Sequence, residues 1–315
     1  MPGPIVVAQD LRKSFETTEA VRGLSFSVLE SEIFSLLGPN GAGKTTTISM
    51  LSCLLPPTAG DARLGGHSVS SAANEVKKII GVVPQEIALY QSLNAEQNLR
   101  FWGSMYGMSS GDLKARIAEV LAQVGLSDRA KERVENYSGG MKRRLNIAAG
   151  LLHRPKILFM DEPTVGIDPQ SRRNILDMVK ALRGEGMTVI YTTHYMEEAE
   201  ELSDRVGIID HGQLIAVGTQ SELTQLVGSQ VTVRCAVGEG EATAEAAAAM
   251  AALPAVTQAV AQDNELVLTV PDTAATLPAI MREIGQLSLN LRSVEIEEPN
   301  LEAVFLHLTG HALRD

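Results

Sequence analysis

Gly38-Pro39-Asn40-Gly41-Ala42-Gly43-Lys44-Thr45-Thr46 fits the pattern G-x-x-x-x-G-K-[ST]. Glycines let the main chain fold into a concave nest of N–H donors around phosphate oxygens. Lys44 supplies a mobile point charge for β- and γ-phosphates, and the Thr45 hydroxyl can hold a Mg²⁺. Ahead of the loop stands Ile33-Phe34-Ser35-Leu36-Leu37, an apolar run of buried-strand length. Behind it, Thr46-Thr47-Ile48-Ser49-Met50-Leu51 predicts the start of a helix. Strand, glycine loop and helix N-terminus in that order place a partial positive charge beside bound phosphate. A chance glycine-rich turn would lack those flanks.

Working outward, Ile5-Val6-Val7 and Leu24-Ser25-Phe26-Ser27-Val28 predict strands separated by a turn at Thr17-Thr18-Glu19. Pro56-Pro57-Thr58-Ala59-Gly60 breaks the chain, and Ile79-Ile80-Gly81-Val82-Val83 predicts a short buried strand ending at Pro84. From about 86 to 152 the pattern turns helical: Leu113, Ile117, Val120, Leu121 and Val124 share one helix face, with Gly125 suited to a C-cap. Lys156-Ile157-Leu158-Phe159-Met160 and Thr188-Val189-Ile190-Tyr191-Thr192-Thr193 predict two further buried strands around a helix at 171–183. Residues 206–210 and 214–216 predict a closing hairpin around His211-Gly212. Strands alternating with helices indicate a mainly parallel α/β sheet.

Composition shifts near Gly228. The formal net charge of −11 is uneven: residues 1–228 hold 26 Asp+Glu against 23 Lys+Arg, and residues 229–315 hold 12 acids against four arginines and no lysine. An acidic end section argues against broad nucleic-acid binding, which needs a basic face. The order beyond 228 reads strand 231–237, Ala-rich helix 239–253, strand 255–260, strand 266–270, helix 272–287, strand 291–296 and helix 301–308. That βαββαβ order matches a small α+β, ferredoxin-like domain with an added helix. Two domains follow, 1–228 and 229–315. Leu301, Val304, Phe305 and Leu308 form an apolar stripe that reads either as core packed on its own sheet or as a subunit contact. Cys53 and Cys235 have no metal-ligand neighbours and read as reduced, buried thiols of a cytosolic protein. The first residues lack the basic and apolar regions of a secretory signal, and no stretch reaches about 18 uninterrupted apolar residues.

Four segments narrow the chemistry. Ile157-Leu158-Phe159-Met160-Asp161-Glu162 is an apolar strand ending in two carboxylates, at the sheet edge where the glycine loop also sits. Asp161 there can bind Mg²⁺ directly or through water, and Glu162 can polarise the attacking water. In Tyr137-Ser138-Gly139-Gly140-Met141, Ser138 suits an N-cap and the two glycines permit close approach to an anion. Gln85 ends the strand at Val83-Pro84 and can reach metal or water. His194 ends the strand at Thr192-Thr193 and can hydrogen-bond a γ-phosphate.

In this order and spacing, residues 5–225 resemble the nucleotide-binding subunits of ABC transporters. Phe15 stands at the aromatic loop, 38–46 at the phosphate loop, Gln85 at the glutamine loop, and 137–141 at the signature. The acidic strand ends at Asp161 and Glu162, Val165-Gly166-Ile167-Asp168 forms the D-loop, and His194 is the switch histidine. Within the family the chain looks most like ABC-2-type exporter ATPases of the daunorubicin-resistance kind, and residues 298–310 are similar to that group's C-terminal segment. The resemblance implies a P-loop ABC-ATPase domain with a mainly parallel sheet core, an antiparallel N-terminal β part and a helical subdomain at about 86–152. It also implies Mg²⁺-dependent ATP hydrolysis and ATP held between the phosphate loop of one subunit and Ser138-Gly139-Gly140 of the other, with Asp168 among the nucleotide contacts. The implied partners are a second copy and a separate integral-membrane permease docked on the helical subdomain at the cytoplasmic face of the membrane, with drugs, lipids or polysaccharide as cargo. No nucleic-acid partner is expected; the alternative is a non-transport ABC ATPase acting on ribosomes or DNA.

The signature departs from the family pattern. Tyr137 and Met141 replace the usual Leu and Gln; methionine cannot donate an amide hydrogen bond, which leaves Ser138 and the glycine backbone for phosphate. Phe15 replaces the common Tyr, and stacking needs only a ring face; Phe15 reads equally as a core residue.

Overall fold

The computed structural model describes residues 3–226, 231–297 and 300–309, so Gly228 at the compositional shift, and residues 298, 299 and 310 of the C-terminal resemblance, lie outside the described residues. The chain divides into two compact units, at Thr219/Gln220.

The first unit opens with β1 (Pro4–Phe15), β2 (Thr18–Leu29) and β3 (Ile33–Leu37), then α1 (Lys44–Leu51), β4 (Ala59–Leu64), β5 (His67–Ser68), α2 (Ala73–Ile79) and β6 (Ile80–Val83). The helical stretch follows as α3 (Ala95–Met105), α4 (Ser110–Gln123) and α5 (Gly139–Leu151). It closes with β7 (Ile157–Asp161), α6 (Pro169–Gly184), β8 (Thr188–Thr193), α7 (Met196–Leu202), β9 (Arg205–Asp210) and β10 (Gln213–Gly218).

A six-stranded sheet in the order β10-β9-β3-β8-β7-β6 forms the core; all its pairs are parallel except the β9–β10 hairpin. β3, β7 and β8 are buried at every residue, because both faces of the sheet are covered. Phe34, Leu36, Ile157 and Phe159 face a cluster shared with β1, β2, β4 and α1, while Leu158, Met160, Val189 and Tyr191 face the cluster built by α3 to α6. An antiparallel sheet, β2-β1-β4-β5, covers the first face. Phe26 on β2 stacks on Phe34 of β3 with centroids 5.2 Å apart, joining the two sheets through aromatic burial.

The strands at 5–7 and 24–28 prove far longer, and the breaker at 56–60 ends as the first residues of β4 rather than as loop. Prolines stop at Pro57, and Ala59 and Gly60 can then join the ladder with β1. Cys53 is half-buried rather than buried and stands just past α1 at φ 57°, whereas Cys235 is buried in the second unit; both are free thiols.

The second unit runs α8 (Gln220–Gln225), β11 (Val231–Ala236), α9 (Ala244–Ala251), β12 (Gln258–Gln262), β13 (Glu265–Val270), α10 (Thr273–Gln286), β14 (Ser293–Glu297) and α11 (Leu301–Thr309). Its antiparallel sheet has the order β12-β13-β11-β14. This is the ferredoxin-like arrangement, with α9 and α10 covering one face over Val233, Cys235, Leu266, Leu268 and Val270. The Ala-rich helix starts five residues later than the composition suggests. Gly240 turns at φ 77°, Glu241 accepts from the amides of Gly238 and Asn290, and Thr243 supplies the N-cap by accepting from the Ala246 amide. Leu301, Val304 and Phe305 are fully buried, but α11 lies against α8 and these side chains stand outside the cluster under the sheet.

Candidate functional site

Parallel strands deliver their C-terminal ends to one edge, and the register lines up the candidates there. Leu37, just before the glycine loop, pairs with Thr193; Asp161 pairs with Thr192; Val83, two residues before Gln85, pairs with Met160. A cavity of about 380 Å³ at this edge is lined by Asn40, Gly41, Gly43, Lys44, Thr45, Thr46, Gln85, Glu162 and Ala20 of β2. Gly43 is required by its backbone: φ is 101°, and a Cβ would stand 2.6 Å from the Ala20 carbonyl oxygen.

Lys44 folds back onto its own loop and onto the end of β7. Its Nζ donates to the carbonyls of Gly38 at 2.7 Å and Pro39 at 2.9 Å, and pairs with Glu162 Oε1 at 3.0 Å. Glu162 has the left-handed φ of 43°, which turns its side chain back over the loop. Gln85 Nε2 donates to Glu162 Oε2 at 3.2 Å. His194 Nδ1 is 3.4 Å from Glu162 Oε1, is not aligned for a hydrogen bond, and is buried without another partner. One carboxylate therefore gathers Lys44, Gln85 and His194.

Asp161 is held from beneath. The Thr192 hydroxyl donates to Asp161 Oδ1 at 2.6 Å and accepts from the Glu162 amide at 3.0 Å, so a single side chain orients both acids. Burial pushes the Asp161 carboxyl above its usual range, against hydrogen bonds from Thr192 and Thr45; the charge of Glu162 pushes the same way as burial. Two acids facing one lysine leave a buried excess of negative charge. Thr45, Asp161 and the Gln85 amide are hard oxygen ligands, the set that suits Mg²⁺ better than a soft metal. Among the described residues no cluster of three His, Cys, Asp or Glu could hold a metal ion.

The other sequence candidates stand apart from this cavity. Phe15 is 43% exposed at the end of β1, with Lys13 Nζ 5.2 Å from its ring centroid, so it is a surface ring and not core. Ser138 caps α5 by accepting from the Met141 amide at 3.2 Å, and Ser138 and Gly139 face solvent. Gly140 does not serve as an open approach to an anion: it is buried, and a Cβ there would fall 2.1 Å from Ser171 Oγ on α6. Asp168 caps α6 by accepting from the Ser171 amide, and is exposed. Sequence reasoning singled out neither Thr192 nor Arg143. Thr192 had a signal, its place beside His194 at a strand end; Arg143 lies in the basic run 142–144, where nothing separates it from its neighbours.

Residues 21–165 match the family model described as ABC transporter. The chain is 49% identical over 313 residues to the linearmycin resistance ATP-binding protein LnrL of Bacillus subtilis strain 168, covering 98% of this chain and 99% of that one. The chain belongs to the ABC transporter ATP-binding family. It is also 39% identical over 317 residues to the daunorubicin/doxorubicin resistance ATP-binding protein DrrA of Streptomyces peucetius, covering 100% and 95%. The family's fold is evident in solved structures. An ATP-binding subunit of an ABC transporter aligns at TM-score 0.64 and 26% identity over 71% of this chain and 93% of the other. A dimeric ATP-binding cassette bound to ADP and phosphate aligns at 0.62 and 26%, over 68% and 98%. Among the described residues no helix is long and apolar enough to cross a membrane.

Proposed function

We propose that this chain is the ATP-hydrolysing motor subunit of a drug exporter, working at the cytoplasmic face of the membrane with a separate integral-membrane permease and closing head to tail with a second copy. The convergence of Lys44, Gln85 and His194 on Glu162 carries the reading, with Asp161 and Thr45 beside it. The names of the relatives, linearmycin and daunorubicin/doxorubicin resistance proteins, support a drug as cargo.

Residues 38–46 bind the triphosphate through main-chain amides and Lys44. A phosphate that takes Lys44 competes with its ion pair to Glu162, freeing that carboxylate to accept a proton from the attacking water. Thr45, Asp161 and Gln85 would hold Mg²⁺, whose chemistry is to neutralise charge on the phosphates. Gln85 orients Glu162, and His194 donates to the phosphate being released. Phe15 offers a ring face to adenine. Ser138 and Gly139, exposed and outside this chain's own cavity, meet the nucleotide of the second copy, as Asp168 does. The arrangement is isologous, so two sites form together. The helical stretch 86–152 docks the permease.

Glu162→Gln keeps the shape of the site and removes the base. ATP hydrolysis is expected to fall by about 10²–10⁴-fold while nucleotide binding persists. Turnover at the wild-type rate would remove Glu162 from the role of base.

A further inference from the structure

Arg143 lies just beyond the first turn of α5, and its side chain points inward, 4% exposed. Nη1 donates to the Pro84 carbonyl at 2.9 Å and Nη2 to the Gln85 carbonyl at 2.7 Å. Its Nε is buried with no hydrogen-bond partner. Burial lowers the pKa of this guanidinium, with Tyr191 and Asp161 acting in the opposite direction. A buried cation held mainly by carbonyl dipoles costs stability and needs a reason.

The other inward arginines of this region have structural reasons. Arg116 donates to the Leu151 and Leu152 carbonyls at the end of α5, and Arg144 to those of Val124 and Gly125 at the end of α4. Both satisfy helix C-termini. The two carbonyls on Arg143 belong to no helix. They belong to the turn after β6, and that turn's side chain, Gln85, donates to Glu162.

We infer that Arg143 is a positioning residue for catalysis: its fork on the 84–85 main chain keeps the Gln85 amide on Glu162 and so ties α5, which Ser138 caps, to the base. This rests on the role of Glu162 proposed above. Arg143 grips each carbonyl with its own nitrogen in one fixed plane; a lysine ammonium, a point charge on a flexible stem, does not hold that fork. With one carbonyl released, the turn shifts and Glu162 loses its neutral hydrogen-bond donor. Small displacements of a reacting group are costly in rate while leaving binding intact.

The test is a double-mutant cycle on the full chain, reading kcat and the Kd of a fluorescent ATP analogue. Arg143→Lys keeps charge and length; Arg143→Met drops both donors and serves if the lysine variant does not fold, as judged by thermal melting. Expected is a fall in kcat of about tenfold or more, a Kd within about twofold of wild type, and no further loss when the change is made in a Gln85→Ala background. Multiplicative losses in that background, or an unchanged kcat, overturn the inference. If Gln85→Ala is silent while Glu162→Gln is inactive, the inference alone falls; if Glu162→Gln is fully active, the proposed function falls and takes it along.

Discussion

The two glycine loops of the first unit solve different problems. The loop at 38–46 is complete within its chain: it opens on a cavity, its lysine is buried, and its counter-charges, Asp161 and Glu162, come from the same sheet edge. The loop at 137–141 has none of this. Its serine is spent on an N-cap, its second glycine is wedged against Ser171, and its exposed face carries no charged partner from the cavity. In the proposed head-to-tail pair, one loop is a site and the other is half of one. The proposed pairing gives this surface, a helix N-terminus and an exposed glycine outside its own chain's cavity, a ligand brought by another copy.

The largest effect should come from breaking the self-sufficient loop. Lys44→Ala removes a charge-assisted contact worth about 1.5–3 kcal/mol, so ATP affinity is expected to drop about 10- to 100-fold by calorimetric titration. Unchanged affinity would refute the reading of this loop. The second glycine loop is sharpened by separating its two glycines. Gly140→Ala drives a methyl into Ser171 and should cost about 1–3 kcal/mol, read in denaturant melts. Gly139→Ala meets only Ile167 Cδ1 at 3.8 Å and should leave stability within about 1 kcal/mol of wild type while lowering turnover. Equal destabilisation by both would erase the distinction between packing and contact.

A smaller effect lies away from both loops. Burial lowers the pKa of the His153 imidazole, whose Nε2 is 2.7 Å from the Ile80 carbonyl and whose ring stacks on Tyr106. The unfolded chain then binds the proton more tightly than the folded one, so this group's contribution is present at neutral pH and is lost as pH falls below 6.5, its ordinary value, toward the lowered pKa of the folded protein. His153→Gln should show a shallower loss of melting temperature between neutral and mildly acid pH than the wild type; a steeper loss would reverse the sign.

The parallel core was legible because β3, β7 and β8 are short, mostly apolar runs of β-type residues, and Lys44, Asp161, Glu162 and His194 were legible because each stands at or just beyond the end of such a run. The extents of β1, β2 and β4 were not. Their outward residues are polar and their pairing depends on ladders with distant partners, which no local pattern encodes. The same limit hid Gly140, which the sequence offers as a flexible loop residue and which tertiary contact with α6 makes a packing position. Thr192 and Arg143 act through main-chain and carboxylate partners tens of residues away, so their roles emerge only once the strand ends are side by side.

The most direct measurement is the mass in solution of the Glu162→Gln protein with saturating Mg-ATP, alone and combined with Ser138→Arg. A head-to-tail pair sharing two nucleotides gives a dimer for the single variant, and a monomer that still binds ATP for the double variant. A dimer that survives Ser138→Arg, or a Glu162→Gln protein that stays monomeric at saturating ATP, would contradict the view that the second loop is half of a shared site.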